Sequence, residues 1–209
     1  MQRYLSFGYL TTIVGGLLLA LGAAVSAATW IQPFSAQVVT GGFVAGAALR
    51  LAGVVCMVIG LTACYVRQAQ RAGILGLVAY VLVVVNLVLQ AGIMFSDLFV
   101  TGALARFAPG VLDGTQDDPR LGVGFLLAWV LNVSFILFGV ASLRARVFGR
   151  PVGWALVVMG LFPLVPLPID VPVGEIGIGL ACVVVGVFAR RAPALLAEEV
   201  TPAPVLART

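Results

Sequence analysis

Residues 41–56, GGFVAGAALRLAGVVC, place a single arginine, Arg50, inside a run of small and apolar residues. An arginine that faces lipid near the centre of a helix costs roughly 2.5–3.5 kcal/mol on insertion scales, so such a residue is expected to face protein or water. Gly42, Gly46 and Gly53 lie at helical spacings from Arg50 and share its face. Gly42 and Gly46 form a GxxxG pattern, which lets two helix backbones approach closely. The stretch therefore predicts a membrane helix whose Arg50 face packs against another helix.

The composition of the whole chain agrees with a membrane location. Hydrophobic residues make up 62% and charged residues 10% of the 209 positions, against roughly 45–50% and 25% in soluble domains. The twelve basic residues are all arginine, and there is no histidine. A lysine Schiff base, a histidine-ligated haem or zinc ion and a Ser-His-Asp triad are therefore excluded. We expect no cofactor and no metal.

Apolar runs of about 20 residues, the length that crosses a bilayer as a helix, occur six times. The runs are continuous rather than alternating, which favours helices over strands. We predict an all-α, polytopic membrane protein: a single domain over residues 1–191 made of a six-helix transmembrane bundle. The predicted spans cover residues 7–29, 38–66, 73–95, 121–143, 151–167 and 173–189, with an external loop at 96–120 and a flexible cytoplasmic tail at 192–209.

Arginines mark every second connection between the predicted spans. These arginine-bearing segments contain Arg3, then Arg67 and Arg71, then Arg144, Arg146 and Arg150, and finally Arg190 and Arg191. The positive-inside rule then predicts that both termini are cytoplasmic. It also explains the net charge of +4 without nucleic acid as a partner. An arginine-only basic set suggests a bacterial origin, so we expect the bacterial cytoplasmic membrane.

The first apolar run has a second interpretation. Arg3, the apolar run and the small residues AAVSAA at 23–28 also resemble a signal peptide with its cleavage site. The run is longer than the 7–15 residues typical of such a segment, which favours a retained span. Cleavage would leave five spans with the same threading.

Ionisable and amide side chains inside or beside the spans form a second pattern. Glu175 shares a helix face with Gly179, Cys182 and Gly186, which repeats the glycine-lined face around Arg50. The predicted polar cluster joins residues from five spans and their ends: Arg50, Asn86, Gln90, Asp97, Asn132, Asp170 and Glu175. Prolines 163, 166, 168 and 172 surround Asp170 and predict either a broken helix or an extended external turn.

Two functions are compatible with this cluster. In the first, the protein is a non-enzymatic accessory or assembly component that packs against other membrane proteins, or itself, through its glycine-rich faces, and Arg50 is a sealed ion pair. In the second, it is a small-solute or ion carrier with an outward-facing polar cavity around Arg50. The sequence slightly favours the first, since matched broken helices in two halves are missing. No hydrolase, metalloprotease or nucleotide-binding motif points to an enzyme.

Overall fold

The structure is a computed structural model that describes residues 2–114, 123, 126–127, 130–162 and 173–192. The described residues form helices and connecting turns without a strand, which confirms the predicted all-α class. In chain order the helices are α1 Gln2–Ala28, α2 Phe34–Gln37, α3 Gly41–Phe99, α4 Thr101–Phe107, α5 Pro109–Asp113, α6 Val133–Ala145, α7 Arg150–Leu161 and α8 Val173–Arg191.

Helix α3 is a hairpin of two helical arms, residues 41–72 and 74–99. The break is at Gly73, whose φ of 59° and ψ of −157° are non-helical and suit glycine because it lacks a Cβ. Across the break the Thr62 and Tyr80 hydroxyls lie 2.9 Å apart, and the Tyr65 and Tyr80 rings stack with centroids 4.3 Å apart. The segments of the predicted second and third spans are therefore antiparallel arms, and the chain reverses at Gly73, where the predicted third span begins.

Helix α1 packs between the first arm of α3 and α8 through small residues. A Cβ added to Gly53 of α3 would lie 2.8 Å from the Gly15 carbonyl oxygen and 2.8 Å from the Leu19 amide nitrogen. On its other side, α1 places Gly16 against the backbone of Gly179 in α8. Backbones this close leave no room for side chains, so glycine is required on both interfaces.

The long helices close into a ring. Helix α3 packs on α1 and α6, α1 packs on α8, α8 on α7, and α7 on α6, while α3 and α8 have few direct contacts. Large apolar side chains fill the ring interior, including Met57, Leu61, Phe135, Phe138, Leu156 and Met159, all of which are fully buried. Burial of this apolar core stabilises the arrangement of the helices.

The two ends of the ring differ in composition. At one end the Arg67 guanidinium donates to the Tyr9 hydroxyl (3.1 Å) and to the carbonyl oxygens of Ala189 (3.2 Å) and Ala192 (3.0 Å), and it lies 5.3 Å from the Phe148 ring centroid. These contacts gather the arginine-bearing connections at one end.

The opposite end is formed by the connections that are poor in arginine. The Asp113 carboxylate accepts hydrogen bonds from the Ser35 amide (2.8 Å) and the Ser35 hydroxyl (2.5 Å), which ties α2 to the end of α5. The predicted external loop 96–120 is helical over much of its described part, since α3 runs to Phe99 and is followed by α4 and α5.

Length and composition indicate that the protein associates with a membrane. Two helical segments of the described chain are long and apolar enough to cross one, Arg3–Ala28 and Gly41–Phe107. Large exposed apolar side chains also follow the outer face of α1, at Phe7, Leu10, Val14, Leu17 and Leu21, as expected for a surface in contact with lipid.

The remaining predicted spans are covered only in part. The apolar helices Val133–Ala145 and Arg150–Leu161 are shorter than a span of about 20 residues. Parts of the predicted spans at 121–143 and 151–167, the proline-rich segment 163–172 and the tail beyond Ala192 lie outside the described residues. The number of six spans therefore stays a prediction.

We expect Gly53→Ala to destabilise the protein by about 1–3 kcal/mol, since its methyl group would meet backbone atoms that cannot rotate away. Gly92→Ala is the matched control on the same helix, because nothing lies within 4 Å of the added Cβ. There alanine is expected to be neutral or to stabilise by up to about 1 kcal/mol through helix propensity. Thermal unfolding of both variants in detergent measures the difference, and equal stability of the two would contradict the packing described for α1.

Candidate functional site

The buried guanidinium of Arg50 pairs with two carboxylates from different helices. Arg50 Nη2 lies 3.3 Å from Asp97 Oδ2, and Arg50 Nη1 lies 3.3 Å from Glu175 Oε2 and 3.4 Å from Glu175 Oε1. The contacts join both arms of α3 to the first turn of α8. We call these three residues the charge cluster.

The helix geometry explains why Arg50 meets residues from helix ends. Arg50 is nine residues beyond the start of α3, or about 13 Å along the axis at 1.5 Å per residue. Helical side chains lean toward the N-terminus of their helix, so the Arg50 side chain points back toward the end that holds Thr40 and the first turn of α8. Asp97 and Glu175 lie at that end, and the long arginine side chain covers the difference in depth.

The three members of the charge cluster differ in exposure. The Arg50 side chain is 8% exposed, whereas those of Asp97 and Glu175 are 20% and 27% exposed. Arg50 Nε is buried without a hydrogen-bond partner among the described residues. The guanidinium therefore lies behind the carboxylates, against α1, where Gly22 leaves room for the Arg50 stem.

A cavity of about 700 Å³ opens beside the charge cluster. Its walls come from α1, both arms of α3, the residues around the start of α6, and α8. The apolar part of the lining comprises Leu19, Val54, Met57, Leu87, Ile93, Met94, Leu126, Phe135, Gly174 and Ile178. The polar part comprises Arg50, Asn86, Gln90, Asp97, Asn132 and Glu175. A largely apolar cavity with a few convergent polar groups is the usual form of a small-molecule site.

Two buried asparagines form the deeper polar part of the cavity lining. Asn86 Nδ2 donates to Asn132 Oδ1 at 3.3 Å, and both side chains are buried. The Asn86 carbonyl oxygen Oδ1 is buried with no hydrogen-bond partner among the described residues. A buried polar atom without a partner is unfavourable, so this oxygen would gain from a donor supplied by a ligand or a water molecule.

The structure brings six of the seven residues of the predicted polar cluster to one cavity. Arg50, Asp97 and Glu175 form the charge cluster, and Asn86, Gln90 and Asn132 line the same space. Asp170 lies outside the described residues.

The glycine faces predicted for packing lie against α1. Gly42 contacts Thr29, Gly46 contacts Gly22 and Ser26, Gly53 contacts Gly15, Gly179 contacts Gly16, and Gly186 contacts the Tyr9 carbonyl oxygen. Cys182 is fully buried next to Gly16.

Sequence reasoning missed the partner of these faces. Small residues recur every seven positions in α1, at Gly8, Gly15 and Gly22, and again just after its end at Thr29, and this spacing places them on one stripe that faces α3. A search for small residues at heptad spacing would have found it. The apolar cavity walls, such as Met57 and Phe135, carry no comparable pattern because the core contains the same residue types.

The electrostatic balance of the charge cluster is negative. One guanidinium and two carboxylates sum to −1 when all three are ionised, and the other polar lining residues are neutral amides. Among the described residues no three His, Cys, Asp or Glu side chains are grouped closely enough to hold a metal ion. The charged side chains of the cluster can form charge-assisted contacts with a charged molecule.

Comparison of the chain with protein-family models, with curated proteins and with solved structures gave no match.

We expect Arg50→Met to destabilise the protein by about 3 kcal/mol, because removal of one partner leaves two carboxylates without a buried counter-charge. Adding Glu175→Gln to Arg50→Met should restore part of that loss, since it removes one of the two like charges. Arg106→Met is the control, because Arg106 is exposed on α4. Thermal unfolding in detergent measures all three, and an Arg50→Met variant as stable as the Arg106→Met variant would contradict this account.

Proposed function

We propose that the chain is a six-span protein of the bacterial cytoplasmic membrane that acts as a carrier for a small solute or ion. In this proposal both termini are cytoplasmic, the arginine-rich end of the ring faces the cytoplasm, and the cavity beside the charge cluster opens to the outside. The solute binds in the cavity and contacts the carboxylates of Asp97 and Glu175.

The cavity is the observation that carries the proposal. A sealed ion pair needs no adjoining space, yet Arg50, Asp97 and Glu175 all line a cavity of about 700 Å³, within the roughly 300–1,000 Å³ of small-molecule sites. Ionisable side chains inside a membrane protein commonly mark a substrate or ion pathway. The buried Asn86 Oδ1, which has no hydrogen-bond partner among the described residues, adds an acceptor on the same wall.

An accessory role through the glycine-rich faces receives less support. Those faces lie on α3 and α8, and α1 of the same chain already covers them. A partner protein would have to displace α1 or use another surface. The apolar outer faces of the helices suit the lipid bilayer itself as the partner.

The orientation follows from the charges at the two ends. The arginine-bearing connections gather near Arg67, whereas Asp97, Asp113 and Glu175 lie at the opposite end. An excess of arginine marks the cytoplasmic side, so the end with the carboxylates and the cavity is proposed to face outward.

We expect Gln90→Cys, placed in a background with Cys56, Cys64 and Cys182 changed to Ala, to react in intact cells with a small membrane-impermeant thiol reagent. Gln90 lines the cavity, so a water-filled cavity open to the outside would admit the reagent. Val88→Cys is the matched control on the same arm, because Val88 is 59% exposed on the outer face and would be covered by lipid. Labelling is read as the mass shift of the purified protein.

Val111→Cys reports the orientation, since Val111 is highly exposed on α5. If Val111→Cys reacts from outside and Gln90→Cys does not, the open cavity is wrong. If Val111→Cys reacts only in permeabilised cells, the proposed orientation is wrong.

A further inference from the structure

We infer that the ligand of the cavity is a monovalent organic cation with an apolar body. The inference rests on the proposed function, because it names the chemical class that the proposed carrier would bind. Three features of the cavity lead to it: the sign of its charge, the positions of the charged atoms, and the nature of its walls.

The sign of the charge favours a cation. The guanidinium of Arg50 balances only one of the two carboxylates it contacts. An unbalanced negative charge in a largely apolar surrounding is unfavourable unless a proton or a positive group joins it. A ligand with one positive charge brings the described cavity to neutrality, whereas an anion would raise its charge to −2.

The positions of the charged atoms favour the same class. The carboxylates are the more accessible charged groups of the cavity lining, since the Asp97 and Glu175 side chains are 20% and 27% exposed and that of Arg50 is 8% exposed. The charge-cluster distances of 3.3–3.4 Å are longer than the 2.7–2.9 Å of strong charge-assisted hydrogen bonds. Arg50 therefore holds the two carboxylates without using their full capacity as acceptors.

The guanidinium also disfavours a divalent metal ion. It lies within 3.4 Å of both carboxylates and would repel a second concentrated positive charge placed between them. Magnesium and calcium require six or more oxygen ligands, which the charged residues lining the cavity do not supply. A single diffuse positive charge avoids both difficulties.

The walls favour an organic ion over a bare one. The cavity of about 700 Å³ is far larger than an inorganic monovalent ion, and its lining is mainly aliphatic, with Met57, Met94 and Phe135 among the larger side chains. Methionine adapts to apolar groups of varied shape, and the aromatic ring of Phe135 attracts a cation. An apolar body bearing one positive charge is complementary to this lining.

The test uses two probes of the same size and shape and of opposite charge, tetraphenylphosphonium and tetraphenylborate. Binding of each to the purified full-length protein in detergent is measured by equilibrium dialysis. We expect saturable binding of tetraphenylphosphonium and at least about tenfold weaker binding of tetraphenylborate, because the net negative charge of the cluster attracts the first probe and repels the second.

Three carboxylate variants test where the probe binds. Asp97→Asn and Glu175→Gln should each weaken tetraphenylphosphonium binding about tenfold or more. Asp113→Asn is the matched control, because Asp113 is a carboxylate that hydrogen-bonds to Ser35 and is absent from the described cavity lining. It removes the same charge and should leave binding unchanged.

Size-exclusion profiles and thermal unfolding check that the variants fold. If one variant does not fold, the comparison of the two probes on the unmodified protein still tests whether the cavity prefers a cation.

Equal binding of the two probes would show apolar partitioning only and overturn the inference. Stronger binding of tetraphenylborate would also overturn it, in favour of an anion at Arg50. If neither probe binds while Gln90→Cys is labelled from outside, the cation inference fails and the proposed open cavity stands. If Gln90→Cys is not labelled although Val111→Cys is, the proposed function fails as well.

Discussion

The arrangement of the other helices depends on the close approach of α1 to both α3 and α8. Helices α3 and α8 have few direct contacts, so their separation is determined by the helix between them. A Cβ on Gly22 of α1 would lie 2.8 Å from Arg50 Cγ and 2.7 Å from the Gly46 carbonyl oxygen. Because α1 presents glycine on both sides, α3 and α8 come near enough for Arg50 to reach Glu175. Larger residues along α1 would separate the charge cluster.

This arrangement divides the interior of the ring into two parts. Toward the arginine-rich end the space is filled by apolar side chains such as Leu61, Phe138 and Leu156. Toward the opposite end the charge cluster and the paired asparagines line a cavity. A buried ion pair is by itself weak evidence for stability, since desolvation offsets much of the attraction between the charges. The packed half of the ring is therefore the better explanation of stability, and the charged half is the part in which we propose that a solute binds.

The two ends of the ring are held by different contacts. At the arginine-rich end, the planar guanidinium of Arg67 donates to carbonyl oxygens at the end of α8, where helix carbonyls lack partners within the helix. At the other end, Asp113 accepts two hydrogen bonds from Ser35 and joins α2 to α5. The cavity lies near this second end, which is built from short helices and connections. Any movement that admits a solute would involve these elements more readily than the packed interior.

The sequence by itself determined the helical class, the segregation of arginine to alternate connections, and the helix faces that carry Arg50 and Glu175. Those properties follow from local rules: the length of an apolar run, the period of a helix and the position of charge along the chain. The sequence predicts a connection at 67–72 between the second and third spans, and the chain turns at the adjoining Gly73, because glycine allows a backbone conformation that ends the first arm.

Only the tertiary structure decided which faces meet and what space remains between them. The sequence indicated two glycine-lined faces but not that a single helix, α1, covers both. It grouped Arg50, Asp97 and Glu175 as possible partners and left open whether they form a sealed ion pair or line a polar cavity. The volume of a cavity depends on how side chains from several distant segments fill a shared interior. No local pattern in the sequence predicts that volume.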